Sequence, residues 1–476
     1  MKVFLLNPPP VRIRKKTDAP DDQHLGLGYL VSAVEQSGYP VKAVDAKLDR
    51  LTIKDTMGVI AAFAPDVLGI TAMTQDMNIA AMMAKAYKDI SPGVKIVLGG
   101  VHVTALPKET LEQYPVIDAG VAGEGEIAFI EILKNIEKNK TDMAGIPGAV
   151  YRSGEEIMSA PYERISDIDA LPYPGWKHFG NARSYSILSA RGCPFSCKFC
   201  MQAMGRTVRK RSVGSVVEEL ERVVIERCPD SFTFYDETFT IDKERAHKLC
   251  DELIRKGIGR KMKWTVTTRV DTVNEDILRK MYEAGCRRVD FGVESGSQEV
   301  LDRVNKKITK EQVRQAVALA KRVGFRTECA FILGHPYENM KTGVETVLFS
   351  AELNPDRTQI GIMVPYPGTE IRKMALAGEG GYKVLSNDWS EYSTYLGNAL
   401  ELDELSRSDL ERLQLIGFLR LFVYNRRYLD LASFFFKYKR EMFWYLVNLF
   451  RKREKTKKTR ISVAETLRLV FTRKPG

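Results

Sequence analysis

Three cysteines fall within eight residues, in the stretch Cys193-Pro-Phe-Ser-Cys197-Lys-Phe-Cys200, which follows Ser189-Ala190-Arg191-Gly192. Thiolates at this spacing can wrap one face of a cubane cluster and hold three of its four irons, leaving the fourth open to an exogenous molecule. A structural zinc site asks instead for four ligands, in pairs such as C-x2-C with a distant second pair. The other four cysteines, Cys228, Cys250, Cys286 and Cys329, stand singly. They read as small buried hydrophobes, Cys250 within a helical apolar stripe. A three-thiolate site with a vacancy therefore fits better than a closed zinc knot.

The chain around this loop alternates short apolar strands with helical periods. In residues 1–150 the strands are 2–6, 41–45, 66–71, 94–98 and 116–121, with helices at 27–36, 53–63, 80–90 and 126–138. Such alternation implies βαβ units and a parallel, doubly wound sheet whose ligands bind at the carboxyl ends of the strands. Those ends carry Asn7-Pro8-Pro9, Asp45-Ala46, Thr71-Ala72-Met73-Thr74, Gly99-Gly100-Val101-His102 and Gly123-Glu124-Gly125-Glu126. Gly99 and Gly100 would let a large flat ligand approach the backbone. No Gly-x-Gly-x-x-Gly follows the first strand, which speaks against a dinucleotide. Residues 151–180 read as a proline-rich linker. From 181 to 370 the alternation resumes, with strands 185–189, 231–235, 263–267, 288–293, 326–332 and 358–363. Six βα repeats fit a partial barrel with its functional residues at the strand C-termini.

The C-x3-C-x2-C spacing, with aromatic Phe199 before the last cysteine, resembles the signature of radical S-adenosylmethionine (SAM) enzymes. The segment Leu25-Gly26-Leu27-Gly28-Tyr29-Leu30, with the two glycine-containing strand ends at 99–102 and 123–126, resembles the N-terminal cobalamin-binding domain of one large class of that family. The fold implied is α/β throughout: a Rossmann-like cobalamin-binding domain (1–150), the linker, a partial (β/α)6 barrel (181–370) and a helical C-terminal region (371–476).

The resemblance also implies cofactors, a 4Fe–4S cluster, SAM and cobalamin, and a set of contacts. Cys193, Cys197 and Cys200 would ligate iron. The SAM contacts would be Asp236 and Glu237 on the ammonium group, Arg269 on the carboxylate, and Gly292, Glu294 and Ser295 at the ribose. Gly334 and Phe199 would border the adenine. Helix capping is an equally good account of one of the two acids at 236–237. Thr71, Thr74, Gly99, Gly100, His102 and Glu124 would line the cobalamin. The Asp-x-His-x-x-Gly motif that supplies a histidine to cobalt in many B12 proteins is absent, so cobalamin would be bound without one. For His102, a hydrogen bond at the strand end competes with a cobalt contact. Retention of the domain without any cofactor is a further reading. Arg206, Arg209, Lys210 and Arg211 read as a solvated loop face or as an anion contact.

The last hundred residues break the alternation. An amphipathic helix at 404–423 precedes two aromatic-rich stretches, 429–439 and 442–450, and then a run at 451–460 with seven basic residues against one acidic. That order suits peripheral contact with an anionic membrane, a cap over the barrel mouth, or nucleic acid; aromatics and basic residues are not interleaved as in a stacking platform, and no nucleic acid is expected. The formal charge of +11 is concentrated there in part. Seven cysteines without a disulfide framework, and no apolar run of the ~18 residues that span a bilayer, point to the cytoplasm, with the membrane's inner face as a possible docking place. The N-terminal apolar run is too short for a signal peptide and reads as the first strand.

The function implied by the resemblance is cleavage of SAM to a 5′-deoxyadenosyl radical, followed by cobalamin-dependent methylation of an unactivated carbon in a small, lipophilic or natural-product-like substrate. A flavodoxin or ferredoxin would donate electrons. Radical cyclisation, rearrangement or C–C coupling, as in tetrapyrrole cyclase-like or lipid-modifying members, is the alternative. A non-catalytic iron–sulfur or zinc protein is the third reading.

Overall fold

The computed structural model describes residues 1–10, 20, 22–395, 397–437, 439 and 468–471. The first sheet is built on β1 (Val3–Asn7), β2 (Val41–Asp45), β3 (Val67–Thr71), β4 (Lys95–Gly99) and β5 (Ala119–Val121), all parallel in the order β2-β1-β3-β4-β5. β1 is buried along its whole length, as expected of a parallel strand covered on both faces. Its side chains alternate between two cores. Val3 and Leu5 pack with helices Leu25–Gln36 and Gly125–Glu137, whereas Phe4 and Leu6 pack with helices Ile53–Phe63 and Met77–Ile90. The sheet is doubly wound, and strand order reverses at β1, opening a crevice between β1 and β3 at their carboxyl ends.

The stretch after residue 150 is not all linker. β6 (Ala149–Ser153) and β7 (Glu156–Ser159) form a hairpin that extends the first sheet antiparallel to β5, turning at Gly154 with φ +62°. Alternation of apolar and polar residues is short there, so the sequence pattern is weak, and edge pairing with β5 supplies what the pattern lacks.

The second sheet comprises β8 (Ser184–Ile187), β11 (Ser231–Phe234), β12 (Lys263–Thr268), β13 (Cys286–Glu294), β14 (Arg326–Leu333) and β15 (Arg357–Ile362). All neighbours are parallel and follow chain order, the arrangement of an open partial barrel. Between β8 and β11, a two-stranded ribbon of β9 (Ala190–Arg191) and β10 (Arg209–Lys210) carries the cysteine loop. Phe232, Phe234, Trp264, Val266, Val289, Phe291 and Phe331 are buried. Thr233, Thr265 and Thr267 alternate with them, which leaves the other face of the sheet polar.

The C-terminal region is not simply helical. After β15 the chain crosses back to the first domain, and Val364, Trp389, Tyr392 and Ala399 join its hydrophobic core. A small ribbon, β16 (Tyr382–Val384) with β17 (Leu400–Leu402), returns the chain to the barrel. Helix Arg407–Tyr424, capped by Ser406 and Asp409, then packs on helix Met340–Leu353 and β15. Helix Tyr428–Lys437 follows. The aromatic-rich stretch at 442–450 and the basic run at 451–460 lie outside the described residues.

Candidate functional site

The cysteine loop is closed tightly at its base. Gly192 has φ +103°, and a Cβ there would sit 2.2 Å from the Thr207 carbonyl oxygen, so only glycine fits. The Cys193 amide donates to the Gly205 carbonyl at 2.9 Å, and the Gly192 amide donates to Glu237 Oε2 at 3.1 Å. Lys198 N–H reaches the Val304 carbonyl at 3.1 Å, and Asn305 Nδ2 donates to the Ser196 carbonyl at 3.0 Å. Cys193 and Cys197 are half-buried and Cys200 is exposed. Burial pushes the Cys197 and Cys200 thiols up from their ordinary range, Lys306 and Arg269 acting against it at Cys197; a metal would have to displace those protons. Among the described residues no three His, Cys, Asp or Glu side chains close around a single ion. A cubane cluster would ask one thiolate of each of three irons and not three on one ion, so three thiols on one loop would suit it without that convergence.

The strand ends around the loop hold most of the sequence-predicted SAM residues, but several are already engaged. Glu294 ends β13 with φ +73°, past a register shift, and pairs with buried Lys306 at 2.8 Å. Gly292 makes room for this pair: a Cβ there would lie 2.7 Å from Glu294 Oε1. Lys306 Nζ stands 5.8 Å from the Phe199 ring, and Phe199 lies 6.0 Å from buried His335. Burial lowers His335 to about 4, so its ring is neutral at physiological pH. Arg269 makes a bidentate pair, as expected of its fork, but with Asp271 at 2.9 Å for both bonds; it also covers the Phe195 ring at 3.6 Å and comes within 3.9 Å of Cys197 Sγ. Glu237 faces the cysteine loop, its carboxyl raised by burial.

Three expected SAM contacts point elsewhere. Asp236 is buried beneath the loop, where it accepts from the Ser189 amide at 2.7 Å and from the Ser189 hydroxyl, locking the end of β8. Ser295 Oγ is fully buried against Thr346 Oγ1 at 2.9 Å. The Gly334 amide donates to Glu338, and its carbonyl accepts from Tyr382 at 3.0 Å. At Asp236 and Gly334 a backbone group at a strand end is satisfied by a nearby polar side chain, and at Ser295 two buried hydroxyls satisfy each other. Lys306, Asp271 and Glu338 are the partners that sequence reasoning missed; proximity to a strand end in sequence could have flagged Asp271 and Glu338, whereas Lys306 lies beyond the helix Gln298–Arg303 and carries no such signal.

At the carboxyl edge of the first sheet, Gly99 has nothing within 4 Å of where a Cβ would be, and Thr71 beside it is half-buried, so the edge is open at this point. Gly100, φ +101°, presses on the Ala72 backbone. This opening fits a flat macrocycle. His102 does not line it: the ring is fully buried, its Nδ1 3.2 Å from Thr74 Oγ1 and its face 5.0 Å from the Trp389 ring. Burial and Arg372 lower it to about 4, and Nε2 finds no hydrogen-bond partner among the described residues. The strand-end hydrogen bond is therefore what His102 makes. Glu124 also turns from the opening, toward Arg209 at 2.7 Å and Arg191 at 3.2 Å. Gly28, in the 25–30 segment, admits Trp176, whose ring would lie 2.7 Å from a Cβ there. Arg206 bonds Gln202 on the surface and Lys210 pairs with Asp242, whereas Arg211 is buried beside Glu219. Met201, next to Cys200, and Ala105, at the end of the helix that follows β4, both lie within 3.3 Å of where a Cβ on Gly368 would stand, so the cysteine loop and the first domain approach each other there.

The chain matches the family model for the radical SAM superfamily over residues 187–349, and that for the B12 binding domain over residues 15–133. An uncharacterized methyltransferase of Pyrococcus horikoshii is 35% identical over 404 residues, covering 83% of this chain and 86% of the relative. The chain belongs to the radical SAM superfamily. It is an enzyme of the class that joins a B12-binding domain to the radical SAM module, and its cofactors are a 4Fe–4S cluster, SAM and cobalamin. An anaerobic magnesium-protoporphyrin IX monomethyl ester cyclase of Rubrivivax gelatinosus is 30% identical, covering 85% of this chain and 74% of the relative. Among solved structures, the radical SAM methyltransferase TsrM from Kitasatospora setae, with cobalamin and a 4Fe–4S cluster bound, shares the fold at TM-score 0.68 and 20% identity, over 86% of this chain and 84% of that one. The cobalamin-dependent SAM radical enzyme OxsB gives 0.73 at 17% identity, over 98% and 78%.

Proposed function

We propose that this enzyme methylates an unactivated carbon of a small molecule. The observation that carries the reading is the approach of the cysteine loop to the helix that follows β4 of the first sheet, through Met201, Gly368 and Ala105. When bound, the cluster with SAM supplies a 5′-deoxyadenosyl radical and cobalamin supplies a methyl group. The chain's own part is to hold and enclose. Cys193, Cys197 and Cys200 bind iron; Glu237, Phe199 and the Glu294–Lys306 pair border the space beside the loop; Gly99, Gly100 and Thr71 offer the flat edge. No general base is required of it.

The 30% identity with a tetrapyrrole cyclase over most of the chain favours a second reading, oxidative ring closure with the same radical chemistry. A lipophilic substrate and peripheral membrane contact are supported by helix Tyr428–Lys437, which exposes 88% of Leu429 and 77% of Phe436 and precedes the basic run at 451–460 in the sequence. No helix among the described residues is long and apolar enough to cross a membrane. The electron donor is proposed to be a flavodoxin or ferredoxin.

The test is anaerobic purification, reconstitution with iron, sulfide and hydroxocobalamin, and desalting. Iron, cobalt and 5′-deoxyadenosine are then measured with SAM and dithionite, with Cys197→Ala as control. Bound cobalt and Cys197-dependent 5′-deoxyadenosine are expected of both readings; a product that gains the labelled methyl group of SAM then supports methylation, and one that loses hydrogen without gaining a methyl group supports ring closure. Zinc in place of iron, with SAM intact, refutes both.

A further inference from the structure

The cysteine loop hangs between two stems, β9 and β10, which pair antiparallel with Arg191 directly opposite Arg209. Like charges facing each other across a ladder loosen it, and buried charges gain little relief from salt. Both guanidiniums are buried, with side-chain exposures of 4% and 9%. The stem is nevertheless closed, because one carboxylate from the other domain touches both. Glu124 Oε1 lies 3.2 Å from Arg191 Nη1 and accepts from Arg209 Nη2 at 2.7 Å. Its Oε2 accepts from Arg209 Nη1 and from the Ile165 amide, each at 2.7 Å. Burial alone would raise the Glu124 carboxyl; the two guanidiniums and that amide hold it below the ordinary carboxylate range. Arg191 gains a second partner in Glu126 Oε1 at 2.6 Å, again from the first domain.

We infer that Glu124 is a positioning residue for the iron–sulfur cluster: the cobalamin-binding domain closes the base of the cluster loop through this carboxylate, so the cluster is held only while the first domain is docked. The inference rests on the reading of Cys193, Cys197 and Cys200 as cluster ligands. It carries a signature that a generic loss of packing lacks. Removing the carboxylate alone leaves Arg209 buried without a counter-charge and facing Arg191, which keeps Glu126; that is worse than removing the Arg209 cation along with it. Glu124→Gln therefore damages the loop more than the double variant Glu124→Gln with Arg209→Gln.

The experiment uses the full chain, purified anaerobically, reconstituted with iron, sulfide and hydroxocobalamin, and desalted. Far-ultraviolet circular dichroism establishes that each variant is folded. The readouts are iron per chain, the rate of iron release to a ferrous chelator, the electron paramagnetic resonance spectrum after dithionite, and retained cobalt. Glu124→Gln is expected to release iron roughly tenfold faster than the parent, with an altered cluster spectrum and unchanged cobalt, and the double variant to recover most of that loss. Parent-like iron release in Glu124→Gln overturns the proposal, as does a double variant no better than the single one. If the parent takes up no iron, or Cys197→Ala holds as much, it is the assignment of the cysteines that fails.

Discussion

Glu294 occupies a left-handed conformation, uncommon for a non-glycine residue, at the register shift between β13 and β14, and its carboxylate forms a buried ion pair with Lys306. Lys306→Met would leave a buried carboxylate without its partner, a loss of about 3–5 kcal/mol, read as a lower urea midpoint for the metal-free chain. Glu338 offers a pH test. Fully buried, it accepts from the Gly334 and His335 amides, and burial pushes its carboxyl up to about 7. Its folded-state value thus lies above the unfolded value of about 4.3. The folded chain keeps a proton that the unfolded chain releases, so this group's contribution is full below about pH 4 and declines as pH rises toward 7. Glu338→Gln keeps an oxygen for the two amides and should raise the melting temperature at pH 8 but not at pH 4. Equal pH profiles for the two proteins would refute the account.

At the scale of the element, the cysteine loop is a strained closure between two short stems. Its tightest point is Gly192, where the left-handed backbone costs any other residue about 1–3 kcal/mol and a Cβ collides with the Thr207 carbonyl. Gly192→Ala should lose most of its iron on desalting. Gly257→Ala is the matched control, since Gly257 also has positive φ, +65°, but nothing within 4 Å of its Cβ position. Equal iron in the two variants would show that closure at Gly192 is not what holds the loop.

At the scale of the molecule, a hydrophobic core continuous through the first domain and the barrel joins them, and among the described residues two clamps add to it. One is the Glu124, Arg191 and Arg209 network. The other is the return segment after β15, whose Trp389 covers the His102 ring, donates to Gln113 Oε1 at 3.0 Å and enters the first domain's core. Trp389→Ala should cost about 3–5 kcal/mol through the cavity left behind. It should also split one urea transition into two, monitored by circular dichroism, as the domains uncouple. A single transition at the parent midpoint would show that the clamp carries no weight.

What the sequence determined by itself is everything that depends on period and local spacing. The strand–helix alternation placed β1 to β5 and the six barrel strands within a few residues, because apolar runs and helical periods are written locally. The C-x3-C-x2-C spacing is local in the same way, and it carried the resemblance to the radical SAM signature. Tertiary structure alone decided which polar side chains remain free. Asp236, Ser295 and Gly334 stand at strand ends, as expected, yet their hydrogen bonds are spent on Ser189, Thr346, Glu338 and Tyr382. Glu124 and His102 sit at the predicted edge, but Arg209 and Trp389, distant in sequence, turn them away from it. A pattern along the chain reports which residues reach a strand end; it holds no record of the partners that long-range folding brings there, and those partners set charge, burial and reach.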